Sequence, residues 1–180
     1  MKQCTFISGN LDKVRYLETY CGFKVAHMNI DLDEVQSLDL LYVTQKKAEA
    51  AYAVVQSPVL VEDVAFECDG WNGLPGTFIK FFMKGMGIAS FCAALPVDVR
   101  GVTARCIYDY FDGTTHTHFE GSLRGNVPHV PRGGDGYGWD SMFIPEGSEV
   151  TRAEMSAEEN MRTYLIIKPL AAVKQFLSEE

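Results

Sequence analysis

The amino-terminal segment places the strongest constraint on the fold, because a short apolar run, a polar glycine turn and an amphipathic helix follow one another without a linker. Gln3–Ile7 has the pattern of a short buried strand, Ser8-Gly9-Asn10 that of a turn, and Asp12–Cys21 that of a helix with Leu17 and Tyr20 facing inward. A strand that turns directly into a helix is a building unit of α/β folds. The sequence therefore predicts an α/β protein.

The same alternation of strands and helices continues along the chain. A second helix is predicted from about Leu41 to Val55, and Pro58–Val61 is a continuous apolar run of strand type. The remaining predicted elements are two short helices, a hairpin that turns at Asp112-Gly113 and a last helix: Phe78–Lys84, Ile88–Leu95, Val102–Phe111 with Thr114–Glu120, and Pro169–Leu177. A chain of 180 residues with these elements is expected to form one domain or two lobes that share a core.

Charge and hydropathy exclude several classes of protein. The 24 acidic and 16 basic residues give a formal net charge of -8, so no general attraction to nucleic acid is expected. No apolar run approaches the roughly 20 residues of a membrane-spanning helix, and the first ten residues lack the pattern of a signal peptide. These features predict a cytoplasmic protein without a membrane partner. The cysteines have no CxxC pair and are expected to be reduced thiols: Cys4, Cys21, Cys68, Cys92 and Cys106.

The turn after the first predicted strand has the composition of an anion site. Ser8, Gly9 and Asn10 place a hydroxyl, backbone amides and a carboxamide at a helix amino terminus, and Lys13 adds a positive charge. The alternative is an ordinary helix cap beside a solvated lysine. The chain contains neither GxxxxGK[ST] nor GxGxxG after a strand, so the common nucleotide-binding folds are not indicated.

Acidic residues on separate segments form a candidate magnesium site. Glu34 lies in an acidic stretch, and Glu62 and Asp63 follow the apolar run, where they are expected at the carboxyl end of a strand. Hard oxygen ligands of this kind suit Mg²⁺ when a phosphate completes its octahedron. Solvated acidic loops are the alternative. Lys46 and Lys80 are expected to join Lys13 around a polyphosphate.

Two further groups of residues could bind ligands. Tyr137-Gly138-Trp139-Asp140 combines aromatic rings, a flexible backbone and a carboxylate, which suits stacking of a base; a buried aromatic loop is the alternative. His116 and His118 lie on one strand face, and an exposed pair is favoured over a metal site because no third ligand is near in sequence.

In order and spacing, these motifs resemble the inosine/xanthosine triphosphate pyrophosphatase family, whose members hydrolyse deaminated purine nucleoside triphosphates to the monophosphate and pyrophosphate. The resemblance runs from Phe6 to about Asn160. The matching motifs are Ser8-Gly9-Asn10-x-x-Lys13, Asp31-Leu32-x-Glu34-x-Gln36, Lys46, Val61-Glu62-Asp63, Gly73-Leu74-Pro75-Gly76-x-x-Ile79-Lys80, Tyr137-Gly138-Trp139-Asp140 and Ala153-Glu154-Met155.

The resemblance implies a single two-lobed domain over residues 1–180, with a long mixed β-sheet flanked by helices, a central cleft and a homodimer. It also implies roles for the motifs: Ser8 to Lys13 would bind the triphosphate, Glu34 and Asp63 the magnesium and the attacking water, Lys46 and Lys80 the phosphates, and Tyr137 to Asp140 the nucleoside. The residues expected to line one cleft are therefore up to about 130 positions apart in the chain.

The chain departs from the family at two places. Val64 stands where the family has a hydroxyl residue after its acidic pair. The family's carboxyl-terminal Lys-Asn and Ser-His-Arg, which bind the purine, are also absent. One alignment places Glu159, Thr163, Tyr164 and Leu165 at the Lys, Ser, His and Arg positions, and the other places Asn160, Tyr164, Leu165 and Ile166 there.

Three functions follow from these observations. The first is a magnesium-dependent nucleoside triphosphate pyrophosphatase with altered base selectivity. The second is a weak or inactive homologue that binds nucleotides, against which the retention of Glu34, Asp63 and the three lysines argues. A plain protein-interaction domain would leave the glycine and lysine pattern unexplained.

Overall fold

The computed structural model describes residues 2–134 and 136–179 and shows a mixed α/β protein. Its strands are β1 (Thr5–Ile7), β2 (Ala26–Met28), β3 (Val59–Cys68), β4 (Pro75–Gly76), β5 (Gly101–Phe111), β6 (His116–Asn126) and β7 (Ile144–Pro145). Its helices are α1 (Leu11–Cys21), α2 (Leu40–Val55), α3 (Ile79–Met86), α4 (Ile88–Ala94), α5 (Ala157–Ile167) and α6 (Leu170–Ser178). Within the described ranges, none of the helices combines the length and apolarity needed to cross a membrane.

The strands form one mixed sheet, as predicted. Their order is β2-β1-β3-β5-β6-β7, and β4 pairs with β3. Strand β1 runs parallel to both β2 and β3, whereas β4 and β7 are antiparallel to their partners β3 and β6. Because β1 lies between two parallel neighbours, the turn that follows it is at the carboxyl edge of this part of the sheet.

The chain divides into two compact units. The first comprises Met1–Asp63, Cys106–Glu120 and Pro169–Glu180, and the second comprises Val64–Arg105 and Gly121–Lys168. In the first unit, an apolar cluster joins α2 to the parallel strands: Ile7, Ala48, Ala51, Val59 and Val61, with Ile30, Leu32, Tyr52, Val55 and Phe111 packed against it. This is the apolar face of α2 that its sequence pattern predicts.

Aromatic rings form the core of the second unit. The ring of Phe66 lies 5.2 Å from that of Trp139, 5.8 Å from that of Phe143 and 6.1 Å from that of Phe91, measured between centroids. The edge-to-face and tilted arrangements of these pairs are the favourable ones for aromatic side chains. Trp139 is therefore fixed from within the core of this unit.

Strand β3 differs from its prediction, because it does not end at Glu62 and Asp63. It continues to Cys68, so that the two carboxylates lie in the middle of the strand. Beyond them Ala65, Phe66 and Cys68 are fully buried, and this apolar burial carries the strand onward. A buried carboxylate inside a strand needs partners, and Glu62 has them, as described below.

The hairpin between β5 and β6 has a four-residue loop instead of the predicted two-residue turn. The carboxylate of Asp112 accepts hydrogen bonds from the backbone N–H groups of Thr114 and Thr115, each over 2.8 Å. Asp112 therefore acts as a local cap that stabilises the longer loop.

Candidate functional site

The turn after β1 is built by local hydrogen bonds. The amide of Asn10 donates to Ser8 Oγ over 3.1 Å, and Asn10 caps α1 by accepting from the amide of Asp12 over 2.9 Å. A Cβ at Gly9 would lie 3.1 Å from Asn29 Oδ1, closer than a side chain ordinarily approaches, so the glycine allows this close approach. The cap alternative is thus confirmed for Asn10, while the binding of phosphate by Ser8, Gly9 and Asn10 stays a prediction.

Lys13 is held inside the first unit by a buried carboxylate, contrary to the alternative of a solvated lysine. Its Nζ lies 3.0 Å from Glu62 Oε1, and the hydroxyl of Tyr108 donates to Glu62 Oε2 over 2.6 Å. Tyr108 and Glu62 are both buried. Glu62 therefore has a charged and a neutral donor, which is what a buried carboxylate requires.

The two predicted metal ligands converge on one cation. Lys47 Nζ lies 2.7 Å from Glu34 Oε1 and 3.3 Å from Asp63 Oδ2. Burial of Lys47 disfavours its charged form, but the two carboxylates outweigh this effect, so the pKa of Lys47 lies above its ordinary value. Glu34 and Asp63 are far apart in sequence, and the structure brings both carboxylates to the ammonium group of Lys47.

Lys47, which contacts both predicted metal ligands, is a residue that the sequence analysis did not single out. Its neighbour Lys46, which was predicted to bind phosphate, pairs with Glu49 at 2.6 Å, one turn along α2. Both lysines lie off the apolar face of α2, so helical periodicity does not distinguish them. No sequence pattern distinguishes Lys47, because only the tertiary structure places its ammonium group beside Asp63. The role of Lys46 stays a prediction.

The arrangement of Glu34 and Asp63 fits a magnesium ion. Two hard carboxylate oxygens already meet around a cationic nitrogen, and Mg²⁺ is commonly held by one or two carboxylates together with water and substrate phosphates. Across residues 2–134 and 136–179, no group of three or more histidine, cysteine or acidic side chains could hold a metal by itself.

The other predicted phosphate ligand, Lys80, belongs to the second unit. It is exposed in the first turn of α3. The segment before it folds back as β4, in which Pro75 and Gly76 pair with Glu67 and Phe66 of β3. This pairing fixes the start of α3 relative to β3 and so orients Lys80 within its unit.

The predicted nucleoside turn also lies in the second unit. Trp139 packs against Phe66 in the core, so the alternative of a buried aromatic loop is confirmed for that residue. The side chain of Tyr137 is 40% exposed, and Gly138 has a φ of 61°, a conformation that favours glycine. Of the two rings, Tyr137 is therefore the one that offers an accessible stacking face.

Asp140 ends this turn inside a closed polar cluster with Arg152 and Asn160. The amide of Asn160 donates to Asp140 Oδ2 over 3.2 Å, Arg152 Nε lies 3.5 Å from Asp140 Oδ1, and Arg152 Nη2 donates to Asn160 Oδ1 over 2.8 Å. Burial raises the pKa of Asp140, whereas Arg152 and Asn160 oppose that rise. Sequence reasoning did not single out Arg152, and its position was not marked by any motif.

The expectation of an exposed histidine pair is wrong for His116. Its Nδ1 lies 2.6 Å from Oδ2 of the buried Asp109, and its ring stacks on Phe111 with centroids 4.2 Å apart. His118, two residues along β6, is exposed. A buried carboxylate on the neighbouring strand explains the difference, because it attracts the imidazole of His116.

The structure thus brings Glu34, Lys47 and Asp63 together, and separately links Lys13 to Glu62. It places Lys80 and Tyr137–Asp140 in the other compact unit. The expectation that all these residues line one cleft stays a prediction.

Comparison with known proteins identifies the relatives of this chain. A curated inosine triphosphate pyrophosphatase 2 of Trypanosoma cruzi is 37% identical over 175 residues, which are 94% of this chain and 89% of that protein. An inosine triphosphate pyrophosphatase of Schizosaccharomyces pombe is 35% identical over 188 residues, which cover 100% of this chain and 97% of that protein.

Solved structures show the same fold. A HAM1 protein from Coxiella burnetii matches with a TM-score of 0.86 at 19% identity over 100% of both chains. A nucleoside-triphosphatase (dITP/XTP pyrophosphatase) from Mycobacterium abscessus matches with a TM-score of 0.77 at 20% identity over 96% of this chain and 98% of that one. The profile of the Ham1 family matches residues 4–176, and the chain therefore belongs to the Ham1 family.

Proposed function

We propose that the protein is a magnesium-dependent nucleoside triphosphate pyrophosphatase, which acts on non-standard nucleotides with altered base selectivity. The observation that carries this proposal is that Glu34 and Asp63, far apart in sequence, both contact the ammonium group of Lys47 and so lie close together. Family membership supports the reaction class, because the curated relatives quoted above are named inosine triphosphate pyrophosphatases.

In this proposal, backbone N–H groups and lysine side chains bind the triphosphate. The amino end of α1, with Ser8, Gly9 and Asn10, presents backbone N–H groups to an anion. Lys13, Lys46 and Lys80, as predicted, and Lys47, which the structure adds, would neutralise phosphate oxygens as point charges. Most of the rate would come from positioning and charge stabilisation, as is usual for phosphoryl transfer.

Glu34 and Asp63 would hold Mg²⁺, which when bound polarises the phosphate oxygens and neutralises developing charge. Asp63, within 3.3 Å of Lys47, would orient the attacking water and accept its hydrogen bond. The anhydride bond between the α- and β-phosphates breaks; the oxygen of water joins phosphorus on one product, and its proton is released to the medium or taken by the other product. The products are a nucleoside monophosphate and pyrophosphate.

The nucleoside would be bound by Tyr137, Gly138, Trp139 and Asp140. Tyr137 supplies the exposed ring, and Trp139 supports the turn from the core. The positions of the family's Ser-His-Arg hold residues such as Tyr164 and Ile166, of which Tyr164 is buried and Ile166 is exposed. Loss of these hydrogen-bond donors is expected to lower the preference for inosine triphosphate over adenosine or guanosine triphosphate.

The experiment that tests this proposal measures pyrophosphate release from a panel of nucleoside triphosphates with Mg²⁺. The panel includes the inosine, xanthosine, guanosine, adenosine and modified pyrimidine forms. Asp63→Asn should keep the fold and lower turnover by on the order of a hundredfold or more, because it removes a negative charge from the metal site. Asp33→Asn, at an exposed acid beside Glu34, is the matched control and should retain turnover. Nucleotide binding without turnover would instead favour the inactive homologue.

A homodimer and a cytoplasmic location, both implied at the level of sequence, belong to the same proposal. Light scattering at micromolar concentration would test the dimer, with a mass of twice 20.0 kDa expected.

A further inference from the structure

A buried tyrosine hydroxyl on β5 is a feature that the proposed function does not use. Tyr108 Oη donates to Glu62 Oε2 over 2.6 Å, and the other oxygen of that carboxylate, Oε1, lies 3.0 Å from Lys13 Nζ. Tyr108 and Glu62 are buried, whereas 21% of the Lys13 side chain is exposed. One carboxylate therefore links a hydroxyl fixed in the interior to a cation that solvent can reach.

The place of Lys13 in the fold makes this link relevant to the substrate. Lys13 lies in the first turn of α1, three residues after the cap Asn10, where the proposed function places the triphosphate. The amino end of a helix carries a partial positive charge, so an ammonium group there is disfavoured unless an anion balances it. Glu62 supplies that anion in the protein. The carboxylate of Glu62 thus sets the position of the Lys13 ammonium group.

We propose that Tyr108 is a positioning residue for triphosphate binding: its hydroxyl fixes the orientation of the Glu62 carboxylate, and this carboxylate holds the Lys13 ammonium group where it meets the phosphates. The inference rests on the proposed function and deepens it by naming a residue that acts on the substrate through two others. Tyr108 itself has no contact with the substrate in this proposal.

The ring of Tyr108 is fixed independently of its hydroxyl. It stacks on Phe6 of β1, with centroids 6.2 Å apart and an angle of 26° between the two rings, and both residues are buried. A phenyl ring has the same shape and would keep this contact in the closely packed interior. Replacement of Tyr108 by phenylalanine therefore removes the hydrogen bond to Glu62 and preserves the packing.

Loss of the hydroxyl would change how Glu62 holds Lys13. A buried carboxylate oxygen that loses its donor keeps the cost of desolvation. The carboxylate can offset part of this cost by turning so that both of its oxygens share the ammonium group of Lys13. That ammonium group would then move toward Glu62 and away from the amino end of α1. Because a lysine acts on phosphates as a point charge, this displacement weakens substrate binding.

The contacts of the predicted metal ligands lie on the other side of the sheet. Consecutive side chains of a strand point to opposite faces. On β3, Glu62 meets Lys13 of α1, and Asp63 meets Lys47 of α2. A change at Tyr108 acts on the face of Glu62. It is therefore expected to raise KM and to leave kcat near the wild-type value.

The test measures kcat and KM with Mg²⁺ for the nucleoside triphosphate that the wild type hydrolyses fastest, in the wild type, Tyr108→Phe and Tyr110→Phe. Tyr110→Phe removes a hydroxyl from the same strand at a ring that packs edge-to-face on Phe176, 4.9 Å away between centroids, and is the matched control. Tyr108→Phe should raise KM roughly threefold to tenfold, the size of one hydrogen bond, and change kcat by less than about twofold. Tyr110→Phe should change neither constant.

A double-mutant cycle separates positioning from a general effect on the fold. In the Lys13→Met background there is no ammonium group to position, so Tyr108→Phe should leave KM unchanged. If Lys13→Met turns over too slowly, the affinity for inorganic pyrophosphate, measured by titration calorimetry with Mg²⁺, gives the same comparison. Should Tyr108→Phe not fold, Glu62→Gln keeps an oxygen for Tyr108 but removes the charge that holds Lys13, and it should raise KM or weaken pyrophosphate binding.

An equal rise in KM in both backgrounds would mean that Tyr108 only stabilises the fold, and it would overturn the inference. Unchanged KM and pyrophosphate affinity in Tyr108→Phe, or in Glu62→Gln where that variant replaces it, would do the same. In each of these cases the wild type still hydrolyses its substrate, so the proposed function stands and this inference alone fails. A wild type that releases pyrophosphate from none of the nucleoside triphosphates overturns the proposed function and this inference with it.

Discussion

Lys13 and Glu62 form an ion pair 3.0 Å long in which the lysine reaches into the first unit to a carboxylate that is 1% exposed. Lys13 is also predicted to bind phosphate, so the same ammonium group would combine this structural contact with a contact to substrate. The structural contact is expensive to break, because a buried carboxylate left without its cation keeps its full desolvation cost.

Lys13→Ala should therefore lower the free energy of unfolding by roughly 3 kcal/mol, besides weakening substrate binding. The hydroxyl of Tyr108 still donates to Glu62 and keeps the loss at the lower end of the range for broken buried pairs. Urea unfolding at neutral pH measures this effect. The double variant Lys13→Met, Glu62→Gln removes both charges and should recover most of the stability. Equal stability of Lys13→Ala and wild type would show that the pair contributes nothing.

Lys47 and Lys46 should differ sharply in their effect on turnover. Lys47→Met removes the cation that both Glu34 and Asp63 contact, so the two carboxylates lose their common anchor. Displacement of catalytic groups by about 1 Å can cost on the order of a hundredfold in rate, and we expect a loss of that order in kcat/KM for inosine triphosphate.

Lys46→Met is the matched comparison for this prediction, since it removes the exposed pair with Glu49 and one predicted phosphate charge but no contact with Glu34 or Asp63. It should raise KM for inosine triphosphate and leave kcat within roughly threefold of the wild type. A larger loss of kcat in Lys46→Met than in Lys47→Met would contradict this prediction.

The cysteines should react slowly with thiol reagents. All five are reduced thiols, and burial raises the pKa of Cys4 to about 11 and that of Cys68 to about 12. At pH 8 only about one Cys4 side chain in a thousand is then a thiolate, the reactive form. Titration with Ellman's reagent should give slow labelling of the native protein and five rapid equivalents in guanidinium chloride. Rapid labelling of the native protein would mean that these thiols are accessible.

Much of the fold is predictable from local patterns. Helices α1 and α2 and the hairpin of β5 and β6 are anticipated because their apolar periodicity and turn residues are encoded within each segment. Helix α5 was missed although its start carries a local signal: Ser156 and Glu159 form a capping box, a serine followed three residues later by a glutamate.

The parts that could not be predicted depend on contacts between distant residues. Strand β3 passes through Glu62 because Tyr108, 46 positions away, donates to that carboxylate. Lys47 is distinguished from Lys46 by Asp63, 16 positions away. The motif residues themselves were identifiable from their chemistry, but the choice of which lysine meets which acid required the tertiary structure.

The pair of Asp109 and His116 leads to a prediction about stability and pH. Asp109 is 0% exposed; its Oδ2 lies 2.6 Å from His116 Nδ1, and its Oδ1 has no hydrogen-bond partner. Burial raises the pKa of Asp109, and His116 opposes this rise without cancelling it. A carboxyl whose pKa is raised on folding contributes stability below its unfolded pKa of about 4, and this contribution is lost as the pH rises through the folded pKa.

Asp109→Asn removes this titration while leaving an oxygen that can accept from His116. The free energy of unfolding of the wild type minus that of Asp109→Asn should therefore decrease as the pH rises from about 4, and level off once the wild-type carboxyl is fully ionised. Urea unfolding at a series of pH values measures this difference. Asp112→Asn is the control, because backbone N–H groups of Thr115 and Thr114 lower the pKa of Asp112, so its contribution changes only below about pH 4. A difference for Asp109→Asn that rises with pH would mean that His116 stabilises the charged carboxylate by more than burial destabilises it.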